Sequence, residues 1–183
     1  MPHEENAMLK SSASLPDLMD DCLMEGASLH LLLDGCSKAN ILKMVYSLDS
    51  QPQLYLLYSG TEFSGLIHIS PCLIRVKKGS SLFRWFTEEG AKEGIIILAR
   101  VPFKEVAICL QSRLEAMLPN KDAVLFRYYD PVVLHTYLES LDSQELARFL
   151  EPLDMICYQA PPSHEEEREF DARWRSVSLR QPA

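Results

Sequence analysis

Ser28-Leu29-His30-Leu31-Leu32-Leu33-Asp34-Gly35 decides how the rest of the chain is read. Its apolar run is too short for a stable buried helix and well sized for an interior strand, closed by Asp34-Gly35 as a turn. Working outward, Lys38 to Leu48 places Ile41, Leu42, Val45 and Leu48 on one helical face, and Gln53 to Tyr58 returns as a strand. Upstream, Ser14-Leu15-Pro16-Asp17 is a helix start with proline in its first turn; Leu15, Leu18, Met19 and Cys22 follow at helical spacing. Downstream, Cys72 to Val76 and Ile95 to Ala99 are short apolar runs, separated by a helix that starts at Ser80 and carries Leu82, Phe83, Trp85 and Phe86. Pro102 opens a long helix whose apolar stripe runs from Phe103 through Leu114 to Met117. Asp122 to Tyr129 reads as a strand, and Asp130-Pro131 caps and starts the next helix. Asp142 with Glu145 is a capping box for a further helix, and Leu153 to Tyr158 is a last strand. Strands alternating with helices predict a single α/β or mixed α+β domain. Its central sheet is expected to be mixed or mostly parallel, of about five or six strands flanked by helices.

The predicted domain spans residues 13–159. Residues 1–12 lack periodicity and are expected to be disordered. Residues 160–183 form a charged tail in which Phe170, Trp174 and Val177 share a stripe, a candidate short helix for docking on a partner. The 183 residues are 47% hydrophobic and 24% charged, which supplies one sizeable core and excludes global disorder. Eighteen Lys and Arg against 26 Asp and Glu leave a net charge of -8, so a phosphate backbone is a poor ligand. No apolar stretch reaches the ~18–20 residues of a membrane-spanning helix. Met1 to Lys10 lacks the order of a secretory signal, and a cytoplasmic location is the expectation. Cys22, Cys36, Cys72, Cys109 and Cys157 are scattered, with no Cys-x-x-Cys pair, and read as reduced, buried thiols.

Reactive constellations are sparse. Asp34 stands at the carboxyl end of a strand, where open α/β sheets place nucleophiles and ligands, yet the second carboxylate that metal-assisted phosphotransfer would need is replaced by Cys36. The simpler reading has Asp34 and Gly35 shaping a turn and capping the following helix. Cys36 with His30 is the best thiol pair for a small hydrolase or transferase. His30, His68 and His135 are too dispersed to close around a metal, and no phosphate-binding glycine loop occurs, so no cofactor is expected. Arg75, Lys77, Lys78 and Arg84 form the basic cluster, and Arg75 with Arg127 would be the cations of an anion-sensing module. In Phe126-Arg127-Tyr128-Tyr129-Asp130-Pro131, polar and apolar side chains alternate. One face must therefore hold polar groups that need partners, either at a polar surface or in an internal pair between Arg127 and a carboxylate such as Asp34.

The same stretches carry a resemblance. Leu31-Leu32-Leu33-Asp34-Gly35, Leu57-Tyr58-Ser59-Gly60-Thr61, Pro71-Cys72-Leu73-Ile74, Leu82-Phe83-Arg84-Trp85-Phe86 and Phe126 to Leu134 follow one another in collinear order. Together they resemble the successive blocks of the type VI secretion adaptor family (Tap/Tec), long labelled a domain of unknown function. The resemblance implies a bacterial cytoplasmic adaptor or chaperone, not an enzyme, that binds a toxic effector protein and delivers it to the VgrG spike. It marks Asp34, Gly35, Gly60, Arg127, Tyr129, Asp130 and Pro131 as motif residues, with Tyr128, Phe170, Trp174 and Val177 as candidate partner contacts. Two departures stand out: Ala91 follows Gly90 where the family often has tryptophan, and the long C-terminal lobe of many members has no counterpart here.

Overall fold

The computed structural model describes residues 8–12, 14–36, 40–118, 120–161 and 174–178. Its elements in chain order are β1 (Met8–Ser12), α1 (Leu15–Met24), β2 (Ser28–Leu33), α2 (Ile41–Leu48) and β3 (Gln53–Leu56). A 3-10 helix over Glu62–Ile69 precedes β4 (Cys72–Val76), α3 (Ser81–Trp85) and β5 (Gly94–Ala99). Then follow α4 (Phe103–Gln111), the small hairpin of β6 (Glu115–Met117) and β7 (Ala123–Leu125), α5 (Pro131–Ser140), α6 (Ser143–Leu150), β8 (Met155–Gln159) and β9 (Trp174–Ser178).

Seven strands form one sheet in the order β1-β9-β8-β5-β2-β4-β3, and each neighbouring pair is antiparallel. The class is mixed α+β, and the expectation of a mixed or mostly parallel sheet of about five or six strands is corrected. The cause of that error is physical. Strands buried on both faces read as unbroken apolar runs, a pattern typical of parallel sheets. Here an antiparallel sheet is covered on both faces. In β5, Ile95, Ile97 and Ala99 face the layer of α4, α5 and α6, while Ile96 and Leu98 face α1, α2 and α3. The helical crossovers also join strands of equal direction: β2 leads through α2 to β3, and β4 through α3 to β5. In each case the place between is taken by an oppositely running strand, β4 in the first and β2 in the second.

Helix starts follow the sequence closely. The Asp130 carboxylate accepts the N–H groups of Val132 (2.9 Å) and Val133 (3.4 Å), with Pro131 opening α5. Such a cap contributes about 0.5–2 kcal/mol. Asp142 and Glu145 complete a reciprocal capping box on α6. The α4 helix stops at Gln111, so Leu114 and Met117 are not on it; residues 115–117 pair with 123–125 instead.

Three expectations about the chain's ends and thiols are corrected. Met8–Ser12, expected to be disordered, is an edge strand paired with β9. Trp174–Ser178 is no docking helix but a strand between β8 and β1. Spacing of three puts Trp174 and Val177 on one face of a helix but on opposite faces of a strand. Accordingly Trp174 packs near Phe86, at 6.3 Å between ring centres, while Val177 is buried in the other layer. Phe170 lies outside the described residues. Among the described residues no disulfide joins the five cysteines; Cys72 and Cys157 are buried, Cys22 and Cys109 half-buried, and Cys36 is exposed, against the expectation for it.

His30 sits on the α4 face of β2, fully buried and stacked on Phe103. Its Nδ1 lies 3.4 Å from the Ile97 carbonyl and its Nε2 has no hydrogen-bond partner among the described residues. Burial lowers its pKa from 6.5 to about 4. Because the unfolded chain holds this proton between those two values and the folded one does not, folding is favoured fully above pH 6.5 and is progressively weakened down to about pH 4. Between pH 8 and pH 5 the loss is about 2 kcal/mol. Urea unfolding of His30→Leu at the two pH values should show that much less acid sensitivity than the wild type; equal sensitivity would refute the assignment.

Candidate functional site

The polar residues singled out in the sequence meet where β2 ends. Its last apolar residue, Leu33, is fully buried, and the chain turns at Asp34 and Gly35 across the end of the sheet. The Asp34 amide donates to the Glu93 carbonyl at 2.8 Å, tying the turn to the start of β5. One carboxylate oxygen accepts the Cys36 amide at 2.9 Å, and the other accepts Arg127 Nη2 at 2.5 Å. Asp34 therefore shapes the turn as read from the sequence but does not cap α2; Asn40 does, accepting the Lys43 amide at 3.0 Å. Gly35 is required by space. A Cβ there would stand 2.3 Å from the Ser70 carbonyl oxygen and 2.6 Å from Ile69 backbone atoms.

Arg127 supplies the second half of the cluster. The residues around it are not a strand, since β7 ends at Leu125, but a turn that leads into α5. From that turn the guanidinium reaches Asp34 and, at 3.6 Å, the Asp130 carboxylate. The hydrogen bond with Asp34 holds the Arg127 proton more firmly than usual. The guanidinium is partly exposed and Asp34 nearly buried, a tether between two loops that share one rim of the sheet.

Beneath this tether lies a tyrosine pair. Tyr58 and Tyr129 are buried, with their hydroxyls 3.0 Å apart, and burial raises the pKa of both. The Tyr58 amide donates to Ser70 Oγ at 2.9 Å, and that hydroxyl donates to the Pro71 carbonyl at 3.0 Å. Gly60 takes a positive φ of 72° in the turn after Tyr58, a conformation glycine adopts without strain. Gln111 pins the same turn by donating to the Leu57 carbonyl (2.9 Å) and the Ser59 carbonyl (2.8 Å). Ser70 and Gln111 were missed in the sequence. A lone serine in a loop and a glutamine at a helix end carry no pattern, and only the tertiary approach gives them partners.

Several candidates are not brought together. Tyr128, expected to touch a partner, is fully buried and donates to the Leu110 carbonyl at 2.7 Å. His30 is sealed under Phe103, whereas Cys36 is exposed at the rim, its sulfur 3.9 Å from the Ile69 carbonyl. Arg75 is bonded to Ser28 Oγ at 3.0 Å, at the beginning of β2, while Arg127 is engaged at its end, so the two cations do not form one anion site. Among the described residues no three His, Cys, Asp or Glu side chains converge as a metal cage requires.

Around the tether the rim is apolar as well as charged. The 3-10 helix whose end packs on Gly35 exposes Leu66 and Ile67, and α5 exposes Val132 two residues after its cap. Among the described residues no helix is long and apolar enough to cross a membrane. Residues 29–148 match the model of a family described as "Domain of unknown function (DUF4123)". No curated protein and no solved structure matches the chain.

Proposed function

From membership of the DUF4123 family, to which the chain belongs, we propose that this protein is a bacterial cytoplasmic adaptor of type VI secretion. It binds a cognate effector protein and promotes its loading onto the VgrG spike. The resemblance of the ordered blocks from Leu31 to Leu134 supports this reading. So does the use to which the polar cluster is put, and this is the observation that carries it. Both Asp34 oxygens are engaged, one by the Cys36 amide and one by Arg127, and the Tyr58 and Tyr129 hydroxyls are hydrogen-bonded to each other. Groups committed in this way fix the shape of a rim rather than attack a bound molecule. The rim they fix carries exposed Leu66, Ile67 and Val132, side chains suited to recognition of another protein.

A small hydrolase or transferase built on Asp34, Cys36 and His30 is the competing reading, and the burial of His30 away from Cys36 counts against it. Co-expression with the toxin encoded beside its gene tests the adaptor directly. The toxin is expected to co-purify with the chain and to gain soluble yield. Failure of both would overturn the reading.

A further inference from the structure

The far end of the sheet carries a different surface. Where β2 begins, an open groove of about 840 Å³ runs between the C-terminal ends of α1 and α2 and the turn after β4. Leu23, Leu48 and Val76 line it half-buried, above the buried Leu29 and Leu82. Arg75, Lys77 and Lys78 stand along one side. Their environments differ. Lys78 is neutralised by Asp20 at 2.6 Å, and Arg75 is steadied by the Ser28 hydroxyl without a carboxylate. Lys77 is exposed and forms no ion pair among the described residues.

We propose that this groove receives a segment of a partner protein that is apolar on one side and acidic on the other. The proposal extends the adaptor reading by naming a surface and the chemistry of what it takes. Charge decides the sign of the occupant. In a chain of net charge -8, Arg75 and Lys77 have no carboxylate partner among the described residues; with Lys78 they outnumber Asp49, the acidic residue of the same lining, beside an apolar floor. An acidic segment meets them with favourable electrostatics, whereas a basic one would be repelled at the contact. Shape decides its kind. Sites for small molecules enclose most of their ligand, whereas this groove is only partly enclosed, which suits a strip of polypeptide with apolar anchors.

The probe is a fluorescein-labelled 16-residue peptide with leucine at positions i, i+3, i+4 and i+7 of each two turns and glutamate elsewhere. It is compared by anisotropy with the same peptide carrying lysine for glutamate and with a 16-nucleotide single-stranded DNA. The Leu-Glu peptide is expected to bind the full chain and the other two to bind far more weakly. Lys77→Glu should weaken that binding about fivefold or more. Lys104→Glu, an equal charge change on α4 across the sheet, should not alter it. No binding of the Leu-Glu peptide, equal binding of the DNA or the lysine peptide, or equal effects of the two substitutions would overturn the proposal. Capture of the neighbouring toxin is read separately. Capture without peptide binding removes the groove and leaves the adaptor; peptide binding without capture does the reverse.

Discussion

A chain ending at Pro161 is expected to lose its cooperative thermal transition. Expression of residues 1–161 removes Trp174–Ser178, the strand that joins β8 to β1. In the described sheet β1 pairs with β9 alone, so both strands leave together and β8 becomes a bare edge. The truncation also removes Trp174 and Val177, one from each apolar layer, and uncovers Cys157, Ile156 and Tyr158. Each large apolar side chain so lost contributes about 1.5–3 kcal/mol by burial, and the five residues of β8 left without their ladder partners add to that cost. Against a total stability of about 5–15 kcal/mol, the remainder should be molten or aggregated at 37 °C. Circular dichroism melting of the two chains decides it. Trp174→Ala gives the graded version, an expected loss of about 3–5 kcal/mol. A truncated chain that melts at the full-length temperature would mean that β9 is not part of the sheet.

The second large effect is expected at Gly94. Its φ of 169° is ordinary extended backbone, so the requirement is one of room. A Cβ on Gly94 would stand 2.1 Å from the Leu32 carbonyl oxygen and 2.9 Å from Leu33 Cα, both in the backbone of the neighbouring strand. Neither atom can turn aside as the tip of a side chain would, and Gly94→Ala must push β5 and β2 apart where they are fully buried. The expected cost is about 3 kcal/mol or more, or a fall of about 6–12 °C in Tm. Asp34 follows Leu33 directly and donates to Glu93, so the same substitution should also displace the tether to Arg127 and weaken toxin capture. A variant with unchanged melting and unchanged capture would show that the two strands are not so closely set.

Local chemistry was legible where it is written in adjacent residues. Asp130-Pro131 and Asp142 with Glu145 announced their helix starts because a cap needs only its own next three residues. The alternation around Arg127 announced a polar partner, and Asp34 could be named because it is a carboxylate at a strand end. Strand direction was not legible. Leu31, Leu32 and Leu33 would be equally apolar in a parallel or an antiparallel sheet with both faces covered, and nothing in them records which strand lies beside them. The region 126–129 was misread because alternation of polar and apolar residues suits a turn over a core as well as a strand. Tyr128 and Tyr129 both point inward there, each with its hydroxyl in a hydrogen bond. The tail misled for another reason. Its composition is charged, and the five residues that complete the sheet are too few to change that average.

Met8 stands opposite Ser178, so β1 and β9 run side by side in opposite senses and the start of one meets the end of the other. Pulling on either end therefore unzips the same pair, one residue couple at a time, rather than shearing the whole sheet at once. Force applied at β1 would strip off β9 next and leave β8, paired with β5, as the bare edge of the remaining sheet. A fluorophore and quencher placed at Leu9 and Arg175 would report that opening before the rest of the molecule gives way.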